Sequence, residues 1–385
     1  MIDDNRQTRM GVSRLRWQWL KVATLYAAGV LLGYRFVQQV WRTDDAAQWF
    51  GLATAVMIAQ MGILWWVLPY NHRRRETRPR VTLGYGNGLT LTRGLGLCLL
   101  AGFLFAPPPT GLLAWAPAVL YTLDRLIDYV DGYVARVTKN ETKLGEILDM
   151  EFDGLGILIA ILLGIQYGKL PAWYLILGFS RQLFVLGMWL RRRRGLPVLD
   201  LPPSDYRRLV AGFQTGFMTV MLWPVLTPEI TLLASYLFAI PLTYSFGRDW
   251  LVISTVIDAD SPRYLRARAA VKRLLEGWLP LAARLVAVVL ALLLFAHSES
   301  AVPLWVVTPV ALLLLFGVVG RVAALAMFGL AAVDILSGGL RWFDNGLLLV
   351  CSIIVIHLGS GRFALWQPEE RLIRLKLGAT EPEPP

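Results

Sequence analysis

Four aspartates, Asp128, Asp131, Asp149 and Asp153, lie within a strongly apolar part of the sequence. Spacings of three and four residues place the first pair on one helix face and the second pair on another. A carboxylate at bilayer depth costs at least ~2.5 kcal/mol, so four of them require a compensating cation. Converging hard oxygen ligands suit Mg²⁺ or Mn²⁺, and we expect two such ions. The pattern is typical of a metal-dependent phosphoryl-transfer site in a membrane.

Small residues and one arginine accompany the aspartates. Gly132 and Ala135 leave one helix face open to a flat base or a diphosphate, and Gly145 does the same at the start of the next helix. Arg136 offers a fixed fork of five donors that suits a diphosphate, although a counter-ion role beside the aspartates is the alternative. These residues predict a nucleotide pocket next to the metal site.

The composition sets the frame for this site. The chain has 385 residues, of which 56% are hydrophobic, and its mean hydropathy is +0.53. Apolar runs of about 20 residues recur and predict an all-α polytopic membrane protein. The net charge of +11 comes from basic clusters between apolar runs, which indicates topology and anionic lipids rather than nucleic acid. The two cysteines, Cys98 and Cys351, do not indicate a disulfide framework.

The apolar runs predict about twelve spans with both chain termini in the cytoplasm. This arrangement puts every basic cluster on one side and places the active site at the cytoplasmic helix ends. We therefore expect an integral, multi-pass protein whose site is open to a soluble nucleotide. The predicted spans are 21–40, 46–69, 89–106, 111–136, 146–167, 171–190, 208–227, 229–256, 279–296, 302–319, 321–338 and 343–359.

The spacing D-x-x-D-G-x-x-A-R-x8-G-x-x-x-D-x-x-x-D resembles the signature of the CDP-alcohol phosphotransferase family at each of its defining positions. Upstream, Asn87, Thr90 and Arg93 match the family pattern N-x-L-T-x-x-R. Downstream, 204–214 is similar to S-x-x-G-K-x-x-T-x-x-Q, except that arginines stand in place of its Gly and Lys and Ala211 replaces its Thr. A cation is therefore kept at Arg208, while the threonine hydroxyl is lost.

The resemblance implies the reaction CDP-X + HO-Y → X-phospho-Y + CMP, in phospholipid biosynthesis. It implies metal binding by Asp128, Asp131, Asp149 and Asp153, with Asp153 also the general base. Arg181 and Arg208 are the acceptor-binding candidates, and an ion pair with a carboxylate such as Asp124 is the alternative role of Arg181. The implied CDP-binding residues are Asn87, Thr90, Arg93, Gly132, Ala135, Arg136 and Gly145.

The domain organisation follows from the extent of the resemblance. Residues 81–256 form the expected six-helix core, preceded by a basic leader and two extra helices in 1–80. A polar basic linker, 257–278, leads to a four-helix module with a charged tail, 279–385, which faintly resembles DoxX-like proteins. The implied partners are a CDP-linked lipid or alcohol, an acceptor alcohol and membrane lipids, with a homodimer left open.

Several alternatives stay open from the sequence. The donor is either CDP-diacylglycerol with a polar acceptor, which Arg93 and Arg181 favour, or CDP-choline or CDP-ethanolamine with diacylglycerol, which the chain length favours. A membrane prenyltransferase would need two aspartate motifs on well-separated helices. A cation transporter would place its carboxylates at the bilayer midplane and would give Gly132 and Arg136 no role.

Overall fold

The computed structural model describes the backbone of residues 2–73, 80–137, 142–199, 205–296 and 302–369, and the side chains of 14–73, 80–130, 142–199, 207–296 and 302–369. Within these ranges the chain is helical and contains no β-strand, so the expected all-α class is confirmed. The helices are α1 Ile2–Val40, α2 Thr43–Val67, α3 Gly84–Ala101, α4 Ala116–Val137, α5 Lys143–Gln166, α6 Tyr174–Gly178, α7 Ser180–Arg193, α8 Asp205–Met221, α9 Pro228–Ile253, α10 Pro262–Arg273, α11 Leu279–Phe295, α12 Leu304–Phe316, α13 Gly320–Gly338 and α14 Leu347–Leu358.

Five helical segments of the described chain are long and apolar enough to cross a membrane. This finding confirms a polytopic membrane protein, because about 20 apolar residues span the hydrocarbon. Each of the twelve predicted spans overlaps a helix, but the number that cross the bilayer stays a prediction. The five segments are Arg14–Val40, Thr43–Tyr70, Pro228–Ile253, Pro262–Phe295 and Gly320–Gly338.

Two segments differ in detail from the sequence prediction. The span expected at 171–190 is two helices, α6 and α7, which meet at Phe179, where ψ is 6° instead of a helical value. The expected linker at 257–278 is mostly helical. Ser261 caps the first turn of α10 by accepting a hydrogen bond from the Tyr264 N–H at 3.3 Å. The helix then continues through a π-helical turn, Leu274–Trp278, into α11.

The first of two compact units comprises Met1–Gly168 and Met218–Val225. In this unit α3 packs against α1, α2, α4 and α5. The Tyr26 hydroxyl on α1 donates a hydrogen bond to the Leu91 carbonyl on α3. Trp49 on α2 is buried against Gly102, where an added Cβ would overlap its indole ring. This packing fixes α3 relative to the two helices that carry the aspartates.

The second unit comprises Lys169–Phe217 and Leu226–Pro385. Within it α11 packs against α12 and α14, and α13 packs against α14. Arg284 on α11 is buried and donates to the carbonyls of Leu315 at 3.2 Å and Ser360 at 2.6 Å. Leu315 lies in the last turn of α12, and Ser360 lies two residues beyond the end of α14. The predicted domain boundaries at 80, 256 and 278 are not tested by these packing units and stay predictions.

Candidate active site

Asp128 on α4 and Asp149 and Asp153 on α5 converge; we call these three residues the acidic cluster. One carboxylate oxygen from each lies within 4.8 Å of the others. Their side chains are 32%, 47% and 40% exposed, so the cluster is accessible from outside the protein. The spacing of four residues on α5 puts both of its aspartates on the face turned towards Asp128. The side chains of Asp131, Gly132, Ala135 and Arg136 lie outside the described residues.

Arg93 reaches the acidic cluster from α3. Its Nη1 lies 2.6 Å from Asp128 Oδ1 and 2.7 Å from Asp149 Oδ1, and its Nη2 lies 2.6 Å from Asp153 Oδ1. The Arg93 side chain is fully buried, whereas the carboxylates that it contacts are partly exposed. The family resemblance implies CDP binding for Arg93. The structure places its guanidinium among the carboxylates, and the CDP-binding role stays a proposal.

A second arginine, Arg125, was given no site role from the sequence. Its Nε donates to Asp124 Oδ2 at 2.7 Å, and its Nη1 donates to Asp153 Oδ1 at 3.1 Å and lies 3.8 Å from Asp128 Oδ2. Asp124 is buried and also accepts from Arg93 Nε at 3.4 Å, so it orients both guanidinium groups. The spacing of three residues from Arg125 to Asp128 was the available sequence signal.

Charge and donor type make the acidic cluster suitable for a divalent cation. Asp124 and the three carboxylates of the cluster face two guanidinium groups, so two negative charges remain in excess among these side chains. These carboxylates are only partly exposed, so their excess negative charge is energetically costly unless a further cation is bound. Their hard oxygen atoms match the ligand preference of Mg²⁺ and Mn²⁺. The residues present therefore fit the expected metal.

The start of α5 packs tightly against α3 beside the cluster. Thr142 Oγ1 caps α5 by accepting from the Gly145 N–H at 3.1 Å, and it also accepts from Asn87 Nδ2 at 3.1 Å. A Cβ at position 145 would overlap Asn87 Oδ1. Asn87 is buried, and Thr90 is buried with its hydroxyl donating to the Gly86 carbonyl at 3.2 Å. Gly145 thus permits a close helix contact, a role not considered in the sequence prediction.

Two amide side chains upstream hold the segment that leads into α3. Gln18 on α1 donates to the Val81 carbonyl at 2.7 Å and accepts from the Leu83 N–H at 2.9 Å. Asn71 is fully buried, donates to the Thr82 carbonyl at 2.9 Å and accepts from Asn87 Nδ2 at 3.4 Å. These contacts were not apparent from the sequence, because no local pattern marks a loop asparagine that bonds to a later helix.

The predicted acceptor residues lie in the second unit. Arg181 is exposed on α7, and Arg208 is exposed on α8. The neighbouring Arg207 donates to Asp249 Oδ2 at 3.1 Å, and Arg248 Nε donates to Asp249 Oδ1 at 3.0 Å. Asp249 is buried on α9, and it forms ion pairs with both arginines.

Comparison with known proteins confirms the family resemblance in one segment. Residues 83–245 match the family model described as CDP-alcohol phosphatidyltransferase. This segment includes the acidic cluster, Arg93 and Arg125, whereas Gln18 and Asn71 precede it. No solved structure matches the chain significantly.

Curated relatives match shorter stretches. The chain is 36% identical over 73 residues to a CDP-diacylglycerol–glycerol-3-phosphate 3-phosphatidyltransferase of Bacillus subtilis, covering 19% of this chain and 38% of the relative. A Mycobacterium tuberculosis protein with the provisional name cardiolipin synthase is 27% identical over 131 residues, covering 33% of this chain and 60% of the relative. The chain thus spans less than two thirds of these relatives.

Proposed function

We propose that this chain, whose residues 83–245 match the CDP-alcohol phosphatidyltransferase family, is an integral-membrane transferase of phospholipid biosynthesis. It moves a substituted phosphate from a CDP-linked donor to an acceptor alcohol and releases CMP. The observation that carries the proposal is the convergence of Asp128, Asp149 and Asp153 into one partly exposed cluster. The predominance of basic clusters on one predicted side supports a site that faces the cytoplasm.

The acidic cluster would hold Mg²⁺ or Mn²⁺, with Asp131 as a further ligand implied by the family pattern. The excess of two negative charges around the cluster supports at least one divalent ion, and the number two stays our proposal. When bound, such an ion neutralises the charge that develops as the bond to CMP breaks. A cation is therefore integral to the proposed activity.

Asp153 is the proposed general base. It takes the proton of the acceptor hydroxyl while the acceptor oxygen forms a bond to the β-phosphorus and the bond from that phosphorus to the CMP oxygen breaks. Arg93 and Arg125 both contact Oδ1 of Asp153, at 2.6 Å and 3.1 Å. These contacts fix the orientation of the carboxylate, which a base acting on one hydroxyl requires.

The donor and the acceptor are the finer part of the proposal. Phosphatidyl transfer from CDP-diacylglycerol is favoured, because relatives named for that donor and for glycerol 3-phosphate match the chain. Arg181 and Arg208 are the proposed contacts to a phosphorylated acceptor. CDP-choline or CDP-ethanolamine with diacylglycerol is the second candidate, supported only by chain length.

The test is CMP release by the purified full-length protein in lipid nanodiscs. Labelled CDP-diacylglycerol is offered with glycerol 3-phosphate, phosphatidylglycerol, inositol phosphate or serine, and parallel reactions contain CDP-choline or CDP-ethanolamine with diacylglycerol. We expect release with CDP-diacylglycerol and one polar acceptor. Release only with diacylglycerol as acceptor would select the second candidate, and no release with any pair would reject the transferase.

A further inference from the structure

The guanidinium group of Arg93 contacts all three residues of the acidic cluster. The distances to their Oδ1 atoms are 2.6, 2.7 and 2.6 Å for Asp128, Asp149 and Asp153. Arg93 is completely buried, whereas the three carboxylates are about one third to one half exposed. The cluster therefore receives positive charge from inside the protein and is open to a second cation from outside.

A guanidinium and a metal ion satisfy the same groups, because both bind the lone pairs of carboxylate oxygens. A cation that binds the acidic cluster meets the positive charge of Arg93 next to its ligand atoms. The favourable free energy of cation binding is also smaller, since Arg93 already relieves the repulsion among the carboxylates. The buried ion pair between Arg93 Nε and Asp124 Oδ1, at 3.4 Å, helps to keep Arg93 in this position.

We propose that Arg93 is an internal counter-cation that competes with a divalent ion for the acidic cluster and so weakens metal binding. The inference rests on the proposed function only because it takes the cluster to be the metal site. A scaffold role has the opposite consequence. If Arg93 served mainly to hold the carboxylates in ligand positions, its loss would weaken metal binding.

The experiment measures Mn²⁺ binding to the metal-stripped, full-length protein in detergent without nucleotide, by the electron paramagnetic resonance signal of free Mn²⁺. Arg93→Gln is expected to bind Mn²⁺ roughly ten- to a hundredfold more tightly than the wild type, the scale of a lost charge-assisted hydrogen bond. Arg125→Gln should tighten binding less, because its nearest contacts within the cluster are 3.1 Å and 3.8 Å. Arg263→Gln, on the exposed surface of α10, should leave the affinity unchanged.

Thermal unfolding provides a second measurement. Arg93→Gln should unfold at a lower temperature than the wild type without metal, and Mn²⁺ should raise that temperature more in the variant, because the ion replaces the missing charge. If Arg93→Gln cannot be purified folded, Arg93→Lys takes its place. A lysine ammonium cannot bridge three carboxylates as the guanidinium does, so this variant should still bind Mn²⁺ more tightly than the wild type.

The outcomes separate the two proposals. Weaker or unchanged Mn²⁺ binding by Arg93→Gln, or by the lysine variant in its place, would overturn the competition while leaving the metal site intact. Tighter Mn²⁺ binding by the variant than by the wild type would support the competition. No Mn²⁺ binding by either protein would overturn both this inference and the metal dependence of the proposed function.

Discussion

Arg93 and Asp153 lie 60 positions apart in the chain, and Nη2 of the first donates to Oδ1 of the second at 2.6 Å. The same oxygen accepts from Arg125 Nη1 at 3.1 Å. These two hydrogen bonds use both lone-pair sites of Asp153 Oδ1. A general-base role for Asp153 would therefore fall to its other oxygen, Oδ2.

Removal of divalent metal is expected to abolish CMP release. The acidic cluster and Asp124 have two excess negative charges beside Arg93 and Arg125, and a diphosphate would add more. Activity should return when Mg²⁺ or Mn²⁺ is added after chelation, as measured by the release of labelled CMP. Full turnover in chelator with metal-stripped protein would contradict the metal-dependent mechanism.

Asp128→Asn and Asp149→Asn should each reduce turnover below detection while the protein stays folded in the membrane. Each loses a charged ligand of the cluster but keeps its size, and the helices are held by apolar packing. Turnover is measured by CMP release and folding by monodisperse elution after detergent extraction. Failure of both variants to fold would instead assign the two carboxylates a structural role.

Asp153→Asn tests the general base. We expect a fall in kcat of roughly 10²–10⁴-fold, the usual scale for general-base catalysis, with a smaller change in the KM of the CDP-linked donor. Glu151→Gln is the matched control, because Glu151 is exposed on the same helix and should leave both constants unchanged. Equal loss of donor binding in Asp153→Asn and Asp128→Asn would show that Asp153 serves only as a ligand.

Gly145→Ala tests the junction between α3 and α5. The added Cβ overlaps Asn87 Oδ1 and lies 3.3 Å from Thr142 Oγ1, so overpacking should cost about 1–3 kcal/mol and raise the donor KM. Gly154→Ala on the same helix meets nothing within 4 Å and should stabilise the protein by about 0.4–1 kcal/mol. Melting temperature and donor KM are measured for both variants. Similar behaviour of the two alanines would reject the close contact.

Arg181→Ala tests the acceptor. If Arg181 binds an acceptor phosphate, the acceptor KM should rise roughly ten- to a hundredfold, the scale of a charge-assisted hydrogen bond of about 1.5–3 kcal/mol, with little change in donor KM. Arg181→Lys should restore part of the loss, because an ammonium cannot reproduce the bidentate fork. An unchanged acceptor KM together with a lower melting temperature would assign Arg181 to an ion pair.

The sequence alone predicted the helical class and the three aspartates that the structure brings together in the acidic cluster. Helix periodicity is local, so spacings of three and four residues were enough to place the aspartates on common faces. The fixed motif also identified the family segment that the comparison later matched at residues 83–245. Apolar run length predicted membrane helices for the same reason, since it depends only on neighbouring residues.

Sequence periodicity did not predict where two of the helices end or continue. The interruption at Phe179 and the continuation of the helix from Pro262 into α11 depend on backbone angles and capping that apolar content does not report. The charged residues of 257–278 suggested a linker, but arginine and lysine are good helix formers and Ser261 supplies a cap.

Only the tertiary structure decided which cations meet the carboxylates. Arg93 was assigned to the nucleotide from its motif, yet its guanidinium lies among Asp128, Asp149 and Asp153, and Arg125 joins it. Likewise, Asn71 reaches Asn87 across 16 positions from a loop. Such contacts arise where separate helices pack together, and helix packing depends on the shapes of many side chains at once. No spacing within a single helix encodes them.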